Sequence, residues 1–108
     1  MISEQDVDRI AERWVEDFSV DPYVVRQREM DAWHELDELV YDRPGDALLV
    51  FERIAEMDLI DWTFEGIAIG PLETFLALHR NLYEQEISAI RQRNRAFDEM
   101  YAIALQGL

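Results

Sequence analysis

A chain of 108 residues is sized for one domain around one core, and its 49% hydrophobic and 11% aromatic content is far above that of a disordered acidic tail. It carries 24 acids against 10 basic residues, all of them arginine, for a net charge of −14, and it has no cysteine. Disulfides, thiolate nucleophiles, Fe–S clusters and Cys-ligated zinc are thereby excluded, as are the lysines of phosphate-binding loops, Schiff bases and kinases.

The N-terminus, Met1-Ile2-Ser3-Glu4-Gln5-Asp6, has neither the basic nor the apolar stretch of a leader, and the chain reads as cytoplasmic. Ser3 followed by Asp6 resembles a capping box and precedes Val7, Ile10, Ala11, Trp14 and Phe18 at helical spacing, which predicts a helix over residues 3–18. Asp21-Pro22 pairs a cap with a proline suited to a first helical position. Beyond it Met30, Trp33, Leu36 and Val40 form one buried stripe of a second helix ending near Tyr41. Asp42-Arg43-Pro44-Gly45-Asp46 reads as a turn, after which Ala47, Val50, Phe51 and Ile54 mark a third helix as far as Met57. With so short a connection the second and third helices should be antiparallel neighbours.

Asp58 or Asp61 is placed to cap a fourth helix carrying Phe64, Ile67 and Ala68. Gly70-Pro71 should interrupt it, because an internal proline removes a hydrogen bond and crowds the preceding turn. Pro71 would then open a further helix with Leu72, Phe75, Leu76 and His79 inward. Two more periodic pieces follow, Tyr83, Ile87 and Ile90, then Phe97, Met100, Tyr101 and Ala104, with either a break or a continuous helix across Arg91, Arg93 and Arg95. No segment alternates with the two-residue period of a strand. The expected fold is all-α, five to six short helices in a single domain spanning 1–108, as an antiparallel bundle or a short HEAT-like repeat.

The acidity is uneven. Residues 1–40 hold 12 acids and 4 arginines, residues 41–79 hold 8 and 2, and residues 80–108 hold 4 of each. On the second helix, at 100° per residue, Asp31, Glu35, Glu38 and Asp42 fall within about 60° of one another, opposite the apolar stripe. Six acids and no arginine lie between Glu29 and Asp42, so each neighbouring pair repels by about 0.2–0.5 kcal/mol with nothing local to offset it. Those four carboxylates are the candidate partner-binding residues, set against the plainer reading of a solvated face. A similar row on the first helix, Glu4, Asp8, Glu12 and Glu16, has Arg9 and Arg13 within reach and is explained by pairing along the helix.

Chemistry finds little foothold. His34-Glu35-x-x-Glu38 lacks the second histidine of a zinc helix, and a di-iron bundle needs paired Glu-x-x-His motifs where this chain offers Asp31-x-x-His34. His79 fits the end of a helix or the edge of the core. No serine or threonine sits in a strand-turn-helix elbow, and Gly45, Gly66, Gly70 and Gly107 are isolated, so no phosphate cradle is present. No catalytic residue, metal or cofactor is expected. Trp62 and Tyr23, near helix starts, are candidates for exposed interface aromatics.

Two stretches, Trp33-x-x-Leu36-Asp37-Glu38-Leu39-Val40-Tyr41-Asp42-Arg43-Pro44 leading into Ala47-x-x-Val50-x-x-x-Ile54, and Gly70-Pro71-Leu72-Glu73-x-Phe75-Leu76-x-x-His79, resemble a family of small all-helical bacterial proteins of unknown function. In that family the Gly-Pro-Leu-Glu turn precedes a helix ending in His or Gly and a later Phe-containing helix, here carrying Phe97 and Tyr101. The chain departs from the pattern at His79-Arg80-Asn81, where glycine is usual. The resemblance covers residues 30–104, implies an all-helical, HEAT-like fold, and carries over no catalytic residue.

A small, acidic, chemically bare helical chain is expected to act by covering something. The first expectation is an inhibitor, an immunity protein or antitoxin whose acidic helices mask a basic, nuclease-like toxin surface. Its partner would be a basic protein, with no direct binding to nucleic acid, whose backbone this much negative charge repels, and none to membrane; a homo-oligomer stays open. The alternative is a structural or adaptor domain in a larger assembly, its acidity reflecting host adaptation alone.

Overall fold

The structure is a computed structural model that describes residues 2–18 and 31–108, the side chains of Phe18, Asp31 and Ala32 excepted. Its elements are α1 (Glu4–Phe18), α2 (Asp31–Asp42), α3 (Pro44–Ala55), α4 (Asp61–Ile67), a π-helical turn (Ala68–Leu72), α5 (Glu73–His79), α6 (Glu84–Arg93) and α7 (Arg95–Gln106). With α4, the π turn and α5 taken as one run, six helical segments stand among the described residues, and no strand. The expected cap at Asp21-Pro22, the stripe position Met30 and the aromatic Tyr23 lie outside the described residues.

Local chemistry sets most of the ends. Ser3 caps α1, its Oγ accepting from the Asp6 N–H at 3.1 Å, and the face of α1 bearing Val7, Ile10, Ala11 and Trp14 is buried. Between α2 and α3 the expected five-residue turn shrinks to the single residue Arg43, because Pro44 stands at the first helical position, where its fixed φ and missing N–H cost nothing. That same missing N–H leaves the Val40 carbonyl without its i+4 donor. His79, at the end of α5, supplies one, with Nε2 2.7 Å from the Val40 oxygen. An acceptor-only carbonyl requires that Nε2 carry the proton, and the imidazole is further held among Phe75 (5.5 Å between ring centroids) and Tyr83 (6.3 Å). His79→Phe keeps an aromatic ring in place but orphans the carbonyl. It is expected to lower unfolding free energy by about 1–2 kcal/mol in urea denaturation; a variant as stable as the parent would show that the bond contributes nothing.

Two expectations for α4 and α5 are corrected. Neither Asp58 nor Asp61 caps α4: the N-cap is Ile60, in extended conformation and without a side-chain cap, while Asp61 is the first helical residue, where its charge suits the helix dipole. Nor does Gly70-Pro71 break the helix. The chain widens into a π turn that carries Pro71 inside it, which removes the need for the hydrogen bond proline cannot donate. The Thr74 hydroxyl donates to the Gly70 carbonyl at 3.2 Å. Gly70 itself allows α2 to approach, since a Cβ there would stand 3.2 Å from Trp33 Cη2.

Across the last arginines there is a break. Asn94, at φ −135° and ψ 98°, leaves helical conformation, and its Oδ1 accepts from the Phe97 N–H at 3.0 Å to cap α7. Its Nδ2 donates to the Glu52 carbonyl near the end of α3 at 3.3 Å. Asn94→Ala is expected to cost about 1–2 kcal/mol in urea denaturation, with Asn94→Asp recovering the cap but not the bond to α3; equal losses for both would overturn the cap's role.

One core binds these elements. Cross-links fix the directions: Ile2 bonds to Asp46 and Asp8 to Arg53, so α1 and α3 run parallel, while Arg9 reaches Glu35 near the start of α2, so α2 runs antiparallel to both. The expected antiparallel pairing of α2 with α3 is what the structure has. Above this three-helix layer, α7 packs on α3, α4, the π turn and α5, and α4 also reaches α1. Elements distant in sequence thus meet in one buried cluster, in which Trp14, Phe51, Phe75 and Phe97 are fully enclosed. That is a closed bundle, whereas a HEAT-like solenoid touches only its neighbouring repeats. The radius of gyration, 12.8 Å, matches the roughly 13 Å of a globule of this length.

Candidate protein-binding surface

The four carboxylates singled out on α2 do not share one environment. Glu35 is taken up by Arg9 of α1 in a two-pronged bond, Nη1 to Oε1 at 3.0 Å and Nη2 to Oε2 at 2.8 Å, and the same guanidinium lies 3.6 Å from Asp6. Nothing local offsets the repulsion along α2; at Glu35 the counter-charge comes from a neighbouring helix. Glu38 and Asp42 remain exposed, without an ion pair among the described residues. Asp31 opens the helix, and its side chain lies outside those described.

Beside them Arg43 is drawn onto Asp46 at 2.6 Å. Asp46 is a buried acid, 7% exposed, and its other oxygen accepts the Ile2 N–H at 3.2 Å. In the first turn of α3 it also faces the positive end of that helix, so its charge is balanced three ways. Nothing in the sequence singled it out.

Four further arginines are spent in the same manner, while Arg80 stands exposed without an ion pair among the described residues. Arg53 of α3 holds Asp8 of α1 at 2.8 Å, so the row Glu4, Asp8, Glu12 and Glu16 is not balanced by α1 alone. The cluster near the C-terminus is paired within the chain: Arg91 with Asp98 at 2.6 Å, its guanidinium 4.3 Å over the Tyr101 ring, Arg93 with Glu52 at 2.7 Å, and Arg95 with Glu99 at 3.6 Å. The hydrogen bonds and charge of Glu35 and Glu52 raise the Arg9 and Arg93 guanidinium pKa values above their ordinary level. A raised folded-state value means that this contribution is present below the unfolded-state pKa and fades only as pH climbs past the folded one, beyond the physiological range. Both pairs stand partly in water, so each is worth under about 1 kcal/mol.

Apolar side chains also reach the surface. Trp62, at 48% exposed, is open to solvent as its position predicts, as are Ile60 (56%), the residue before that helix, and Ile69 (59%) in the π turn. Among the described residues no three His, Asp or Glu side chains converge as a metal would need, and no helix is long and apolar enough to cross a membrane. Comparison with protein families, with curated proteins and with solved structures gives no match.

Proposed function

We propose that this chain is an acidic protein-binding inhibitor, an immunity protein or antitoxin in kind, that covers a basic, nuclease-like surface of a partner protein. The observation that supports it is how the charges are divided. Arg9, Arg43, Arg53, Arg91 and Arg93 are turned onto carboxylates of this chain, most of them on another helix, while Glu38, Asp42, Asp58, Asp61 and Glu65 stand exposed without an ion pair among the described residues. Such a surface attracts a cationic partner and speeds encounter with it.

The test is a pull-down with the whole protein from host lysate, washed at low and at high salt. The expected result is a basic protein retained at low salt and released as the screening length falls from about 10 Å at 0.1 M to about 3 Å at 1 M. Recovered partner activity, restored when the complex is split, completes the assignment; a complex insensitive to salt overturns it. The exposed Ile60, Trp62 and Ile69 favour a second reading, a structural or adaptor domain docking through an apolar face, and a salt-insensitive complex is the result that reading expects.

A further inference from the structure

Between the parallel helices α1 and α3 runs an open groove whose floor and walls differ in kind. Val7 and the half-buried Leu49 form the floor, with Ile2 at one end. The walls carry Glu4 and Asp8 from α1, and Glu52 and Glu56 from α3 and its end. Arg53 is the one cation among the lining residues, and it is engaged by Asp8 at 2.8 Å and within 4.0 Å of Glu56. Arg93 offsets Glu52 from outside the groove, which leaves the lining negative.

We infer that this groove seats an amphipathic, arginine- or lysine-rich helix of a partner protein. Two helices packed side by side leave a furrow of the width a third helix fills, and the lining stretch from Leu49 to Glu56 makes it about 12 Å long, roughly two turns of such a helix. An apolar stripe at i, i+3 or i+4, and i+7 meets Val7 and Leu49, and cations flanking that stripe meet the carboxylates on both walls. Charge decides against a second copy of this chain, whose net −14 would be brought against the same rim. The inference rests on the inhibitor reading and names the surface and the chemistry of its partner.

The experiment uses two synthetic peptides of about 12 residues, enough for three turns, identical in Leu and Arg content, one amphipathic and one scrambled to lose its stripe. Each is titrated into isotope-labelled whole protein and followed by amide NMR. The expected result is shifts at Ile2, Val7, Leu49 and Glu56 with the amphipathic peptide, binding roughly ten-fold weaker for the scrambled one, and a similar weakening in Glu4→Gln/Glu56→Gln. Those exposed substitutions leave the rest of the spectrum in place, so a lost fold is not mistaken for a lost site. Shifts centred on another face, equal binding of the two peptides, or no binding of either overturns the inference. A basic lysate partner retained equally by Glu4→Gln/Glu56→Gln sinks the groove and spares the inhibitor reading; peptide docking without any salt-sensitive partner does the reverse.

Discussion

Phe75→Ala is expected to remove about 3–5 kcal/mol of unfolding free energy, a large part of the 5–15 kcal/mol a domain of this size possesses. The ring is fully buried and meets Phe51 of α3 edge-on at 5.8 Å and 73°, with His79 at 5.5 Å and Tyr83 at 5.8 Å between centroids. It joins the α1–α3 layer to α5 and to the chain entering α6. Truncation leaves a cavity that Phe51 cannot close without leaving its own packing, and it loosens the imidazole that completes the Val40 carbonyl. Urea denaturation gives the number directly, and the melting temperature should fall by more than about ten degrees. Phe75→Leu, which keeps most of the volume, should cost far less; a loss below about 1 kcal/mol for the alanine variant would mean that this ring is not the joint between layers.

The second large effect concerns association. Glu38→Gln/Asp42→Asn removes two exposed charges that take part in no ion pair among the described residues, and it is expected to slow encounter with a basic partner roughly ten-fold at low ionic strength and hardly at all near 1 M salt. Stopped-flow mixing at several salt concentrations separates this from a change in the bound complex, which would appear in the dissociation rate. Glu35→Gln is the instructive contrast. It removes one unit of charge instead of two but releases Arg9 from its two-pronged bond, so it also perturbs the α1–α2 contact, at less than about 1 kcal/mol. Unchanged association for the double variant at low salt would reduce the stripe on α2 to a solvated face.

Periodicity made the helices legible. The burial of Ile10 and Trp14, of Leu36 and Val40, of Phe51 and Ile54, and of Phe97 and Met100 follows from spacings of three and four, and Ser3 marks the first helix end through a local bond. Where the chain's own neighbours do not decide, the sequence was less clear. Glu35 meets Arg9 only because α1 and α2 lie antiparallel in one register, and no spacing within α2 reveals a cation 26 residues away. Asp46 gave no sign of burial because its partners, Ile2 and Arg43, belong to a terminus and a turn. At Gly70-Pro71 a proline would stop an α-helical ladder, and the chain instead adopts a coil in which that ladder is relaxed. The acidic rim along α1 and α3 was likewise invisible, since it is assembled from two helices whose parallel alignment no single helix encodes.

The π turn also sets which mutations of length this fold can absorb. Along the run from α4 to α5 the buried or half-buried positions Thr63, Ile67, Pro71, Phe75 and His79 recur every four residues. In a helix of 3.6 residues per turn each such step overshoots by about 40°, so the row would wind off the core without a place where the coil is wider. Removing Pro71 itself would give back a regular α-helix. A turn closed by i+5 bonds holds one residue more than a turn closed by i+4 bonds, so the coil would wind about as far with one residue fewer, and Phe75 and Leu76 would still face α3. A residue lost from the α-helical stretches on either side meets no such slack, and everything beyond it would swing by about 100° relative to everything before. An added residue in the connection at 56–60 would fall in a loop anchored by the half-buried Met57 and Leu59. Deletions are therefore judged by different rules within this one run: the π turn can give up a residue, and the α-helical stretches beside it cannot.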